Sequence, residues 1–325
     1  MNEIDYSIVI PVYFNEGSLP ALMESLDLTV LRANSQYRPE IIFVDDGSQD
    51  GSFAELRKIQ DKFPSVVTII KLTRNFGQGG AMLAGWRHAR GKCVITISAD
   101  GQEPPELINQ MLHGFFEEGY DIVICERQGR DESPYRIITS RLFFYLMRRL
   151  TFSNMPREGF DCSLLSRRAL EVVLRNADAQ FSFQGYTLWT GFKTKVVSYR
   201  RLKRMVGRSR WTFRKKLTAF LDGIMSFSFA PIRAMSFAGC AFAILGFVYA
   251  LLIIWDTLVR GNPVKGWSPI MVVTLVMGGF QMIMLGVIGE YLWRTLAQVR
   301  RRDSYVIDRV YQAQSENSDA RTLQN

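Results

Sequence analysis

The sequence predicts an α/β domain on a mainly parallel sheet, followed by a hairpin of two apolar helices. Three observations lead there. Short β-branched runs alternate with helix-length segments through the first two hundred residues. Polar, chemistry-bearing residues follow those runs. Two uncharged apolar stretches, each about the ~20 residues needed to cross a hydrocarbon core, occupy the C-terminal third.

The expected strands are Tyr6–Pro11, Glu40–Asp45, Val66–Lys71, Cys93–Ser98 and Asp121–Glu126. Between them Leu19–Ala33, Gly51–Phe63, Gly79–Ala89 and Pro105–Glu118 read as helices. Strands rich in Val and Ile, separated by helices of that length, argue a sheet covered on both faces. In such sheets ligands gather beyond the carboxyl ends of the strands. Further on, Pro134–Leu150 reads as a basic, aromatic helix, Phe181–Phe192 is aromatic and Gly-punctuated, and Lys195–Lys216 is dense in Arg and Lys.

The apolar runs are Met235–Trp255 and Ile270–Gly289, joined by the hydrophilic linker Asp256–Ser268. The linker carries only Arg260 and Lys265 as basic residues. Arg214, Lys215, Lys216 and Arg233 precede the hairpin, and Arg294, Arg300, Arg301 and Arg302 follow it. That asymmetry predicts both outer flanks, and the large domain, on the cytoplasmic side of a lipid bilayer. Trp255, Trp267, Tyr291 and Trp293 stand where interfacial anchors belong, and Leu217–Phe229 reads as an amphipathic surface segment. The expected divisions are a catalytic domain over 1–211, a juxtamembrane segment over 212–233, and two spans within 234–293, at about 235–255 and 270–290. A cytoplasmic segment over 294–311 and a disordered tail over 312–325 follow.

The 325 residues carry a formal charge of +9, which suits anionic partners. A nucleic-acid partner is disfavoured because the basic residues cluster beside the apolar runs. Cys93, Cys125, Cys162 and Cys240 are widely spaced and read as unpaired residues of a reducing compartment; with His88 and His113 as the only histidines, a His-rich metal site is excluded. The N-terminus, with Glu3, Asp5 and a short run broken by Pro11, does not read as a secretory signal.

Four strand ends carry the candidate chemistry: Pro11-Val12-Tyr13-Phe14-Asn15-Glu16, Asp45-Asp46-Gly47-Ser48-Gln49-Asp50-Gly51, Arg74-Asn75-Phe76-Gly77, and Ser98-Ala99-Asp100-Gly101-Gln102-Glu103-Pro104-Pro105-Glu106. Taken singly each is an ordinary turn or helix cap; four in this order on an α/β pattern form a constellation. With them the chain resembles the inverting family 2 glycosyltransferases of GT-A, Rossmann-like fold. Among these it is similar to the polyprenyl-phosphate glycosyltransferases, such as dolichol-phosphate mannose synthase and the bacterial undecaprenyl-phosphate glucosyltransferases. The resemblance runs from Tyr6 to about Arg309 and includes Phe227-Ser228-Phe229-Ala230-Pro231-Ile232-Arg233 and Gly289-Glu290-Tyr291.

The resemblance implies transfer of a sugar from a nucleotide-sugar donor, UDP-linked by preference, to a polyprenyl (undecaprenyl) phosphate in cell-envelope glycan synthesis. It implies that Pro11, Tyr13, Glu16, Val44 and Asp46 hold base and ribose, with one residue near Phe14 inserted relative to the family. Asp100 and Gln102 match its metal positions, for Mg²⁺ or Mn²⁺, within the segment that also contains Ser98 and Ala99. Both are hard oxygen donors suited to such ions. Arg127 matches a substrate arginine, and Arg204 and Arg210 lie in a segment similar to the family's R-x-x-G-x-S-K. A homo-oligomer, a tetramer by analogy, is implied, with Ser304–Tyr311 as a partner-binding strand or helix.

Two departures stand out. Ser98 replaces the first Asp of D-A-D-x-Q, and Ser163 replaces the arginine of an acceptor-loop D-F-R-L, leaving Arg136, Arg141 or Arg167 to supply that cation. Two alternatives remain: a membrane polysaccharide synthase of the same superfamily, or an inactive, membrane-tethered sugar-nucleotide binder.

Overall fold

Seven of the eight strands form where β-branched and aromatic residues concentrate in the first two hundred residues; the eighth comes from the far end of the chain. The computed structural model describes residues 3–128, 144–177, 181–202, 222–260, 267–300 and 302–314. Met1–Ala219 together with Asp303–Asn325 make up one compact unit, and Phe220–Arg302 a second.

In the first unit the elements are β1 (Tyr6–Val12), α1 (Leu19–Leu26), β2 (Pro39–Asp45), α2 (Ser52–Lys62), β3 (Val67–Leu72), α3 (Gln78–His88), β4 (Cys93–Thr96), α4 (Glu106–Phe116), β5 (Ile122–Arg127), β6 (Phe160–Ser166), α5 (Arg167–Asn176), α6 (Phe183–Trp189) and β7 (Thr194–Tyr199). The expected helix Leu19–Ala33 is instead α1 continued by a π-helical turn, Asp27–Leu31. The sheet order is β7-β5-β6-β4-β1-β2-β3-β8, with β8 (Ile307–Tyr311) at one edge. Strands β3, β2, β1 and β4 are mutually parallel, as are β5 and β7. Strand β6 runs antiparallel between β4 and β5, and β8 antiparallel along β3. The mainly parallel sheet is thus present.

Its centre is nearly all apolar because both faces are covered. Ile8 and Ile10 of β1 and Phe43 of β2 join Leu22, Leu56 and Met111 of α1, α2 and α4 in one cluster. Val9 and Val44 lie on the opposite face beneath α3, where Trp86 is fully buried and donates to Thr96 Oγ1 at 2.8 Å. Burying each such aliphatic side chain stabilises the fold by roughly 1.5–3 kcal/mol.

Within Ser304–Tyr311, expected as a partner-binding strand or helix, Ile307–Tyr311 forms a strand at the edge of the chain's own sheet. It pairs from Ile69↔Tyr311 to Leu72↔Ile307, and Gln60 Nε2 donates to Tyr311 O at 2.9 Å. Ser163, expected in an acceptor loop, sits in β6 opposite Thr96 and Ile124 and is fully buried.

In the second unit, helices α7 (Ala230–Arg260) and α8 (Trp267–Val299) extend beyond the two apolar runs that predicted them. Ala230–Asp256 and Val272–Val299 contain 18-residue stretches with mean hydropathies of 2.5 and 2.0, and by length and composition are long and apolar enough to cross a membrane. Phe242 meets Phe280, and Gly239 lies against Met284, so the helices pack antiparallel. Near the end of α8, Arg294 is buried between Asp222, at 2.6 Å, and Glu290, at 2.9 Å. Residues 222–227 are helical; the rest of the expected amphipathic segment before Phe227, and the tail beyond 314, lie outside the described residues.

Candidate active site

Between β1 and β4 the strand order reverses, and open α/β sheets bind ligands outside the carboxyl ends of the strands at such a point. The loops after β1 and β4 meet there: Ser18 Oγ donates to Ala99 O at 2.7 Å. The loop after β1 is also tied to the one after β2. The amide of Phe14 donates to Ser48 Oγ at 3.2 Å, that of Asn15 to Ser52 Oγ at 2.8 Å, and that of Gly51 to Glu16 Oε2 at 3.0 Å. Pro11 is the penultimate residue of β1 and Tyr13 follows the strand, with its amide donating to Asn15 Oδ1.

Asp46 leaves β2 buried, and its carboxylate accepts from the amides of Phe76 at 2.7 Å and Gly77 at 3.0 Å. Burial pushes its pKa up to about 6 against the pull of those amides, and Asp45 beside it adds to the rise. Gly47, at φ +69°, allows this close approach: a Cβ there would stand 2.6 Å from the carbonyl carbon of Arg74. Val44, by contrast, has its side chain in the core under α3, so its contribution to a crevice is confined to its backbone.

After β4, Ser98 Oγ lies 2.7 Å from Asp100 Oδ1 and also contacts Glu103 Oε2. Gln102 N donates to Asp100 Oδ1 at 3.2 Å. Glu103 is buried, and its pKa is pushed up to about 7, first by burial and then by the charges of Asp161 and Asp100; Ser98 and Arg201 pull it back. One hydroxyl has one proton to give, so a protonated Glu103 satisfies both of Ser98's contacts at once. Asp161, on β6, binds Arg127 at the end of β5, with Arg201 at 3.9 Å from the same oxygen. Burial pulls the pKa of Arg127 down, but Asp161, with Tyr199 and Glu103, raises it on balance.

Glu103, Asp161 and Arg201 were not assigned roles from the sequence. Glu103 carried a signal, a carboxylate wedged between Gln102 and the Pro104-Pro105 helix start. Asp161 was read only as the first position of the segment similar to D-F-R-L, and Arg201 carried no signal, since only the mixed sheet brings them to Arg127. Arg167 is spoken for elsewhere: its guanidinium donates to the carbonyls of Ala89 and Gly91. Arg136, Arg141, Arg204 and Arg210 lie outside the described residues. The last described residue before Arg204, Leu202, exchanges hydrogen bonds with Gln102: Leu202 N to Gln102 O at 3.0 Å and Gln102 Nε2 to Leu202 O at 3.2 Å.

Among the described residues no three His, Cys, Asp or Glu side chains gather as a metal cage. Asp100 and Gln102 fit a hard divalent cation in donor chemistry: one carboxylate, and an amide whose nitrogen is engaged by Leu202 so that its oxygen is left to coordinate. Such a cation would take its remaining ligands from phosphate oxygens and water.

The family model of glycosyl transferase family 2 matches residues 7–174. A glycosyltransferase of Synechocystis sp., sll0501, is 35% identical over 307 residues, covering 94% of this chain and 95% of that one. A bactoprenol glucosyl transferase of Shigella phage SfII is 33% identical over 302 residues, covering 93% and 96%. Glucosyl-3-phosphoglycerate synthase of Mycobacterium tuberculosis, solved with Mn²⁺, UDP and product, is similar with a TM-score of 0.46 at 15% identity, over 68% of this chain and 77% of that one. With more than half its length inside the family model and about a third of its residues identical to relatives along nearly its whole length, the chain belongs to glycosyltransferase family 2.

Proposed function

We propose that this glycosyltransferase moves a sugar from a nucleoside diphosphate, UDP by preference, to a polyprenyl phosphate at the cytoplasmic face of a bilayer, with inversion at the anomeric carbon. The observation that carries the reading is the strand-end crevice, where the Asp46 clasp and the Ser98–Asp100–Gln102 loop are joined through the loop after β1. It is supported by the relative named for bactoprenol, which aligns along 93% of the chain, through the two apolar helices. The basic flanks around those helices favour the cytoplasmic side.

In this reading Pro11, Tyr13 and Asp46 border the base and ribose. Asp100 and Gln102 would hold Mg²⁺ or Mn²⁺, whose charge offsets that of the departing diphosphate. A phosphate oxygen of the lipid forms the bond to the anomeric carbon as the bond to the diphosphate oxygen breaks, and the electron pair leaves with the nucleotide. Arg127, Arg204 and Arg210 supply further positive charge to the diphosphates and the acceptor. No base has to remove a proton, because a phosphate monoester with a second pKa of about 6 arrives ionised at neutral pH. That accounts for a serine at position 98, and orienting the acceptor becomes the main task of the protein.

The test uses the full chain in proteoliposomes with undecaprenyl phosphate, Mn²⁺ or Mg²⁺, and a panel of radiolabelled sugar nucleotides. Label should appear in a lipid-soluble product, and NMR of the intact lipid-linked sugar phosphate should show the anomeric configuration opposite to that of the donor. Absence of lipid-linked label with every donor overturns the reading.

A further inference from the structure

Among the described residues of the second unit only Gly223, Ile224 and Arg294 are buried. Apart from Ile224, the enclosed side chain of an apolar hairpin is therefore an arginine. Cations near the ends of apolar helices ordinarily reach outward to lipid headgroups. Leu292 and Trp293 beside it are exposed, but Arg294 lies inside. Its guanidinium donates from Nε to Glu290 Oε1 at 3.0 Å, from Nη1 to Ser226 Oγ at 3.3 Å and from Nη2 to Asp222 Oδ1 at 2.6 Å. Glu290 stands one turn back on α8, whereas Asp222 and Ser226 belong to the helical turn 222–227 that leads into α7. Nearby, the Tyr291 hydroxyl donates to Ser228 O at 3.5 Å, and Ser228 Oγ accepts from Ala230 N, at the start of α7, at 3.1 Å. The last turns of α8 are thus fastened to the chain just ahead of α7.

The chain passes between the two units at 219–220 and again at 302–303. Asp222 lies just inside the first crossing and Arg294 a short way inside the second, so their ion pair closes the entry of the hairpin on its exit. Removing the guanidinium would leave the carboxylates of Asp222 and Glu290 facing a site with no counter-charge from position 294. Resting on the function proposed above, we propose that Arg294 is a positioning residue for the lipid acceptor: the clamp makes one joint of the two connections to the catalytic unit, and so keeps that unit within reach of a phosphate confined to the bilayer surface. A tether raises effective concentration only where its geometry permits engagement, and a loose one forfeits that gain without altering the chemistry. Arg294 acts through the joint and touches neither substrate.

The experiment compares wild type, Arg294→Met and Arg294→Lys as full chains in proteoliposomes, with undecaprenyl phosphate and with a short, water-soluble isoprenyl phosphate as acceptors. For Arg294→Met, KM for undecaprenyl phosphate is expected to rise about tenfold or more, with kcat within about threefold of wild type. Transfer to the soluble acceptor and calorimetric UDP affinity should each stay within about twofold. Arg294→Lys keeps the charge without the fork and should fall between the two. Hydrogen exchange of the amides of residues 222–228 should quicken about tenfold in Arg294→Met. An unchanged KM for undecaprenyl phosphate overturns the inference, as does an equal loss with both acceptors, which would place Arg294 in the chemistry. A fall in melting temperature with weakened UDP binding assigns it to folding and overturns it as well. Wild type that transfers to neither acceptor sinks the underlying function instead; unchanged exchange at 222–228 sinks the clamp whether or not transfer is seen.

Discussion

Thr73 donates its amide to the carbonyl of Val306 at 3.0 Å, so a residue that follows both apolar helices steadies the loop whose Phe76 and Gly77 amides hold Asp46. Tyr311, at the far end of β8, lies with its ring tilted against that of Phe53 and under the Arg57 guanidinium, 4.5 Å from its ring centroid. The candidate site therefore depends on residues far outside the stretch that the family model matches.

Deleting residues 303–325 removes none of the candidate site residues. It is nonetheless expected to destabilise the sheet by roughly 3 kcal/mol or more, through a lost edge strand and an exposed β3 edge. Affinity for UDP should fall at least about tenfold, since the Asp46 clasp loosens. Thermal melts and calorimetry of the truncated chain check both; full-strength UDP binding by that chain would contradict the coupling.

Asp100→Ala should lower turnover by more than about a thousandfold, with the melting temperature moved by only a degree or two, because a partly exposed carboxylate is removed from a charge-stabilising position. Radiolabel transfer to lipid is the readout. Transfer near the wild-type rate would remove the metal from the proposed chemistry.

Ser98→Ala is a milder change. Asp100 Oδ1 keeps its bond from Gln102 N, and an ionised acceptor needs no base. Turnover is expected to stay within roughly tenfold of wild type, an allowance of about 1.4 kcal/mol. A loss of several hundredfold would mean that the serine takes part in the chemistry.

Glu103 makes stability depend on pH. Its folded pKa, about 7, lies above the ordinary 4.5 because burial and the charges of Asp161 and Asp100 oppose ionisation. The neutral form is favoured by the fold, so the stabilisation is fully present below about pH 4.5 and is lost as pH rises through 7. Glu103→Gln, neutral throughout, is expected to be more stable than wild type by on the order of 1–3 kcal/mol at pH 8 and to converge with it near pH 5. Metal-free denaturant titrations at the two pH values measure the difference; a gain of equal size at both would show that ionisation is not its origin.

The first five strands and their helices were legible in the sequence because each is a β-branched run buried on both faces, bounded by Gly, Asn or Asp. Strand β6 was not. Its Asp161, Ser163 and Ser166 break the apolar pattern: Asp161 pairs with Arg127 and Ser166 Oγ donates to Asp121 Oδ1, while the buried Ser163 Oγ has no hydrogen-bond partner among the described residues. Strand β8 reads Ile-Asp-Arg-Val-Tyr, an edge with outward charges, and its pairing with β3 spans some 240 residues of sequence, beyond any local signal. At the site, the Asp100–Gln102 loop was legible from residue type and spacing. The Glu103–Asp161–Arg127–Arg201 network was not, since it exists only once antiparallel β6 is inserted between β4 and β5.

A sheet that draws its last strand from beyond the apolar helices also sets a timetable for biogenesis. At roughly 5–20 residues per second, Ile307 leaves the ribosome on the order of 5–20 s after Tyr199. During that interval the β3 edge waits without its neighbour, open to mispairing with other nascent chains. A chain cut short within the apolar helices therefore lacks its closing strand and keeps a bare β3 edge.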